Sequence, residues 1–301
     1  MVVLPFIQTS VFVDSRYAFG GNQLATFWDA AANDSLDSED MQGIALEMNF
    51  SETTFISPSE LPGCTVKARI FTPARELPFA GHPTLGTAYV LRYKQLIESN
   101  KRRAALELGI GEISIEFLSG DVVRMLQPRP EFLQKIGDRK MVAELLGLSK
   151  SDITTDYPIQ YVSTGSNKLI VPLVSLAAVQ RAQPDSQGIL QGLEGLPSRN
   201  ILIFCTETVN EDSDVHARFF APEVGVVEDP ATGSAAGPLA AYLEQHQVLS
   251  RRERGKPIVI EQGYEIRRPS QLVSEVIGDN EIKGVLVSGK VKLTAEGRFY
   301  L

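Results

Sequence analysis

Three ionisable residues stand where proton chemistry on a small molecule could be done. His82 and Asp229 each precede a proline, and each opens a long stretch rich in Ala, Leu and Gly. Aspartate is a preferred helix cap and proline a preferred first helical residue. A helix start offers unpaired backbone N–H groups and a partial positive charge, so two such starts facing one cleft would seat a small carboxylate. Gly81 and Gly233 would let a ligand approach the backbone closely. The third residue, Glu52, follows Ser51 in MNFSETTFI (48–56), where a helix ends and a strand begins. Each also has a plainer reading. Asp229 is equally a simple cap, and His82, taken alone, is a packed or capping histidine. The glycines could serve helix packing only, and spacing does not separate Glu52 from a surface-turn residue. Coincidence of position favours function, because both helix starts carry an ionisable group at matched places in a repeat.

That repeat pairs ARIFTPARELPFAGHPTLGTAYVL (68–91) with ARFFAPEVGVVEDPATGSAAGPLAAYL (217–243). Ala68-Arg69 matches Ala217-Arg218 at an offset of 149 residues, and His82-Pro83 matches Asp229-Pro230 at 147, carrying Gly86 onto Gly233 and Ala88 onto Ala235. Gly20, Asn22 and Leu24 match Gly165, Asn167 and Leu169 at 145. These offsets are near half the 301-residue length, which predicts a duplicated fold. Each half reads as short strands, such as Val66–Phe71, 113–117, 122–125, 169–173 and Ile201–Cys205, with one long helix, near 83–94 and 230–246. Few charges in the early turns predict that both helices are buried among the strands of their own half, with Pro238 kinking the second or marking a packing contact. Shorter helices are expected near 39–48 and 140–146. The division expected is 1–127 with 284–301 as one half and 128–283 as the other, the last strands returning to the first half.

Composition narrows the partners. A net charge of −8 argues against a nucleic-acid partner. The basic runs 101–103 and 251–256 read as solvated surface. No apolar run approaches the ~20 residues that span a bilayer. The N-terminus is a poor signal peptide, so a cytoplasmic location is the default. The sequons at Asn33 and Asn49 are read as chance matches. Two cysteines, Cys64 and Cys205, give neither a metal spacing nor a disulfide framework. His82, His216 and His246 form no metal pair, and neither a complete dinucleotide fingerprint nor a P-loop is present. No metal site is therefore expected, and these cofactor signatures can be set aside.

The motifs SETTF (51–55), ELPFAGHPTLGTA (76–88) and EDPATGSA (228–235) resemble the phenazine-biosynthesis PhzF-like family. GGN (20–22), STGSNKLIVPL (163–173), Gln262-Gly263 and Arg268-Pro269 add to the resemblance, which covers nearly the whole chain in order. Gln23 departs from the proline that commonly follows GGN in that family. The resemblance implies an α+β, diaminopimelate epimerase-like fold: two pseudo-symmetric halves, each a curled sheet around a central helix, with the active site in the cleft between them. It also implies a homodimer, no cofactor and a proton-moving isomerase. It carries the catalytic roles to Glu52, His82 and Asp229, and substrate contacts to Ser51, Gly81, Gly233 and Ser234. Racemases of this fold use one cysteine from each half beside the helix starts; AGHPTLG and DPATGSA contain none. A small carboxylate-bearing, cyclic or aromatic-like metabolite is the expected substrate. Desolvation on closure would raise the Glu52 pKa toward neutrality. A binding or interaction protein that keeps the cleft, and a racemase or epimerase on an unknown acid, are the rival readings.

Overall fold

The computed structural model describes residues 2–249, 255–278 and 281–301. Residues 251–254 of the basic run 251–256 lie outside them. The chain divides into a first unit, 1–126 with 288–301, and a second, 127–287.

In the first unit β1 (Val3–Val11) pairs antiparallel with β2 (Asn22–Phe27), followed by α1 (Ala30–Asn33) and α2 (Ser38–Met48). Next come β3 (Glu52–Ser57), β4 (Val66–Phe71), β5 (Glu76–Leu77), the long helix α3 (Gly81–Tyr93), β6 (Arg103–Leu108), β7 (Gly111–Phe117) and β8 (Val122–Gln127). Strand β3 runs parallel to β2 and antiparallel to β4, and β4 is parallel to β6. Alternation along β3 sends its side chains to two faces. Phe55 joins an aromatic core in which its ring stacks 4.8 Å from that of Phe27 and packs edge-on to Phe71. Thr54 points the other way, bonding Thr87 of α3 at 2.9 Å and Thr26 at 3.0 Å. Ten of the thirteen residues of α3 are buried, as its low charge requires.

The second unit comprises β9 (Glu131–Ile136), α4 (Arg139–Leu145), β10 (Ile159–Ser163), β11 (Asn167–Pro172), α5 (Leu176–Arg181) and α6 (Ser186–Gly192). It continues with β12 (Ile201–Cys205), β13 (Val215–Ala221), β14 (Val226–Asp229), the long helix α7 (Gly233–Gln245), β15 (Ile258–Gln262) and β16 (Ser270–Ile277). The last strand is β17 (Gly284–Tyr300), which is antiparallel to β1 along residues of the first unit. The two expected end strands are one. Helices α5 and α6, short and absent from the sequence reading, cover the outer face of this sheet over Ile201, Ile203 and Phe220.

The repeat is visible strand by strand. Antiparallel β1–β2, parallel β2–β3, antiparallel β3–β4 and β4–β5, and parallel β4–β6 recur as β10–β11, β11–β12, β12–β13, β13–β14 and β13–β15. Register then corrects the matching made from sequence. With Ala68-Arg69 on Ala217-Arg218, the row Thr26–Thr54–Ile70–Leu77 corresponds to Ile170–Leu202–Phe219–Asp229. Asp229 is thus the counterpart of Leu77, not of His82. The helices agree: α3 starts at Gly81 and α7 at Gly233, so His82 corresponds to Ser234. Pairing Leu24 with Leu169 is likewise one residue out, since Leu169 holds the place of Ala25. Shared dipeptides misled because Asp229 follows its partner Phe219 by ten residues, where Leu77 follows Ile70 by seven. The true match is Leu77-Pro78-Phe79-Ala80-Gly81 with Asp229-Pro230-Ala231-Thr232-Gly233. A Cβ on Gly109 would lie 2.8 Å from Pro78 Cα, and one on Gly263 would lie 2.5 Å from the Pro230 carbonyl oxygen. The same close approach of backbone to proline is therefore built twice.

Candidate active site

Glu52 opens β3 and lies on the same face as Thr54, toward α3. Its Oε2 is 3.4 Å from His82 Nε2, with side-chain exposures of 13% for Glu52 and 3% for His82. His82 is the second residue of α3, two positions further into the helix than a cap-then-proline reading of His82-Pro83 suggests. Burial, only partly offset by a bond to the Gln23 carbonyl, pushes its pKa down to about 3. The ring is therefore neutral, and its contact with Glu52 is not an ion pair. Its Nε2 also lies 3.2 Å from the Gln23 carbonyl oxygen, which can only accept. Nε2 accordingly carries the ring proton and donates to Gln23, with Glu52 beside the same hydrogen. Because a main-chain carbonyl makes this anchor, the replacement of the family's usual proline by Gln23 leaves it intact. Ser51 precedes Glu52 and is half-buried; Gly81, the first residue of α3, is buried.

In the second unit Asp229 ends β14 and is not a helix cap; the cap position of α7 belongs to Thr232. The Thr232 hydroxyl donates to Asp229 Oδ2. Gln262 braces both: its Nε2 donates to the Asp229 carbonyl oxygen at 2.6 Å and to Thr232 Oγ1 at 3.1 Å, and its Oε1 accepts from the Thr232 N–H at 3.2 Å. Gly233 is buried and its carbonyl accepts from Gln127 Nε2 at 2.8 Å, while Ser234 alone in the first turn is partly exposed.

Helices α1, α2, α4, α5 and α6 are all capped by a side chain, from Asp29, Asp37, Asp138, Ser175 and Asp185. The two long helices have no side-chain cap bond. Their first N–H groups are thereby left for something other than a local side chain, which is the condition for binding an anion. Among the described residues no group of three or more His, Cys, Asp or Glu could hold a metal ion. Cys205 is buried in the core of the second unit and burial holds its thiol up at about 12, far from a reactive thiolate.

A sequence model of the phenazine biosynthesis-like proteins, PhzC–PhzF, matches residues 9–297. The chain belongs to the PhzF-like family. It is 38% identical over 286 residues to the trans-2,3-dihydro-3-hydroxyanthranilate isomerase of Pseudomonas aeruginosa, covering 93% of this chain and 94% of that one. It is 36% identical to the uncharacterized isomerase YfhB of Bacillus subtilis, covering 81% and 82%. A crystal structure of a PhzF-family phenazine biosynthesis protein from Bacillus anthracis superposes over the full length of both chains with a TM-score of 0.89 at 29% identity. A probable proline racemase from Agrobacterium radiobacter, only 10% identical, shares the fold alone, at a TM-score of 0.66 over 99% of this chain and 93% of that one. The PhzF-like chain thus has the expected α+β, diaminopimelate epimerase-like architecture, and it is an enzyme of the isomerase class. No helix among its described residues is long and apolar enough to cross a membrane.

Sequence reasoning missed Thr232, Gln262 and the Gln23 carbonyl. The first two lie inside quoted motifs without a role. Matching Leu77–Gly81 with Asp229–Gly233 would have exposed Thr232, a polar residue in the place of Ala80, and matching Leu108 with Gln262 the other.

Proposed function

We propose that this PhzF-like isomerase moves a proton between two carbons of a small cyclic acid, with Glu52 as the single acid/base. The observation that carries the reading is the pairing of Glu52 with a buried, neutral His82 at the uncapped start of α3. The Glu52 carboxylate takes a proton from an activated carbon, the double bond shifts, and the resulting carboxylic acid returns the proton to another carbon of the same conjugated system. Atoms and electrons balance without an added reactant. Backbone N–H groups at Gly81, Gly233 and Ser234 hold the substrate carboxylate and stabilise developing negative charge, and Ser51 contributes a hydroxyl. His82, unable to gain a proton near neutrality and donating its one N–H to the Gln23 carbonyl, is a fixed neutral neighbour of the Glu52 carboxylate. Asp229 exchanges a proton with a polar group of the same substrate. The P. aeruginosa relative supports trans-2,3-dihydro-3-hydroxyanthranilate as the first compound to try. A cytoplasmic homodimer belongs to this reading.

The test is solvent-deuterium incorporation into that compound. Wild type incorporates deuterium, and folded Glu52→Gln loses about 10²–10⁴-fold of the rate. Unchanged incorporation in Glu52→Gln removes Glu52 from the mechanism.

A further inference from the structure

Asp229, Thr232 and Gln262 form a directional relay. All three are buried, with relative exposures of 7%, 7% and 2%. Gln262 Oε1 accepts the Thr232 N–H, which fixes the amide orientation, because a flipped amide would oppose donor to donor. Nε2 therefore faces Thr232 Oγ1 and occupies a lone pair there. The one hydroxyl hydrogen is left to point at Asp229 Oδ2.

The turn does not need this relay in order to form. In the first unit the equivalent places are Leu77 at the end of β5, Ala80 at the cap of α3 and Leu108 at the end of β6. The chain takes a similar course there, with an approach of Gly109 to Pro78 that mirrors Gly263 on Pro230, although the cap residue is more extended at Ala80 (φ −149°, ψ 144°) than at Thr232 (φ −111°, ψ 89°). Three apolar residues thus suffice for the structure, and burying three polar ones has an energetic cost only partly recovered by their bonds.

We infer that Gln262 is a positioning residue: by occupying a lone pair of Thr232 Oγ1 it commits the Thr232 hydroxyl hydrogen to Asp229 Oδ2, so the carboxylate meets its substrate with that oxygen already accepting a hydrogen bond. The inference rests on the role given to Asp229 above. A donor fixed on a carboxylate oxygen interacts more strongly with the ionised form, so its removal is readable in a titration.

The test is ¹³C-carboxyl NMR of the full-length protein labelled at aspartate, with the Asp229 signal assigned by its absence in Asp229→Asn. Thr232→Val is expected to raise the Asp229 titration midpoint by about one pH unit, a tenfold change in proton affinity. Thr232→Ser, which restores the hydroxyl, titrates as wild type. Gln262→Leu, which copies Leu108, moves the midpoint in the same direction as Thr232→Val. The double variant moves it no further than Thr232→Val alone, because Gln262 acts through Thr232. The acid limb of the rate profile follows the midpoints. An unmoved midpoint in Thr232→Val, or a fully additive double variant, overturns the relay. A fully active Asp229→Asn overturns instead the role of Asp229 itself; an inactive Asp229→Asn with unmoved midpoints overturns the relay alone.

Discussion

Glu52 and Asn200 hold the same place in the two repeats. Phe55 lies opposite Arg69 as Ile203 lies opposite Arg218, and the two residues stand three positions before Phe55 and Ile203. Where one repeat has a carboxyl group that can carry a proton, the other has a carboxamide that cannot. Asn200 instead has a structural task, its Nδ2 donating to Glu223 at 3.3 Å. Glu52→Asn, which makes the repeats alike, should lower turnover by about 10²–10⁴-fold and leave the melting temperature near that of wild type. Asn200→Ala should do the reverse, lowering the melting temperature with little effect on turnover per folded molecule. Paired calorimetry and deuterium-exchange measurements separate the two.

His82 should be invisible in the pH–rate profile. With its pKa held down at about 3, no imidazolium forms between pH 5 and 9, and ¹⁵N spectra should show an Nε2–H neutral ring throughout. His82→Gln, which keeps a donor, should retain more activity than His82→Ala. The folding consequence has a definite sign. A depressed pKa contributes stability above the unfolded value near 6.5, and this contribution is lost as the pH falls from there toward 3.

His216 has the opposite linkage. Burial alone would lower its pKa, but Nδ1 at 2.7 Å from Glu261 and Nε2 at 2.9 Å from Glu265 raise it to about 9. The stability it contributes is present below about 6.5 and lost as the pH rises through 9, on the order of 3 kcal/mol in total. Urea denaturation across pH 6–10 should show this alkaline decline in wild type. His216→Gln should be less stable at pH 7, since two buried carboxylates lose their shared cation, and should show a flatter alkaline limb.

The sheet architecture was legible because its causes are local: Val66–Phe71 and Ile201–Cys205 are strands by composition, and the charge-poor stretches at 83–94 and 230–246 had to be buried. Glu52, His82 and Asp229 were legible as candidates only through motifs and dipeptides. Their correspondences were not, because these depend on strand register, which the irregular pairing of β13 with β14 shifts without leaving a mark in either motif. Thr232 and Gln262 were hidden for a related reason. They are 30 residues apart, and the bonds joining them exist only after β15 ends beside the start of α7.

Gly263→Ala should test how tightly the Asp229 turn is held. Gly263 has a φ of +83°, and an added Cβ would lie 2.4 Å from the Arg268 carbonyl oxygen and 2.5 Å from that of Pro230. No flexible side chain can yield, so the backbone must move, with a loss of about 1–3 kcal/mol in stability. Pro230 adjoins Asp229, so turnover should fall beyond what the unfolded fraction explains. Gly109→Ala should also lower stability while leaving the turnover of folded protein closer to wild type.

The first unit also contains a blueprint for silencing the second. Leu77, Ala80 and Leu108 show which side chains this turn accepts when it has no reaction to serve. A variant carrying Asp229→Leu, Thr232→Ala and Gln262→Leu together borrows that solution whole, so none of the three side chains is left without the other two. Such an inert twin, folded but stripped of one half of its polar equipment, would hold an unreacted substrate long enough to be identified.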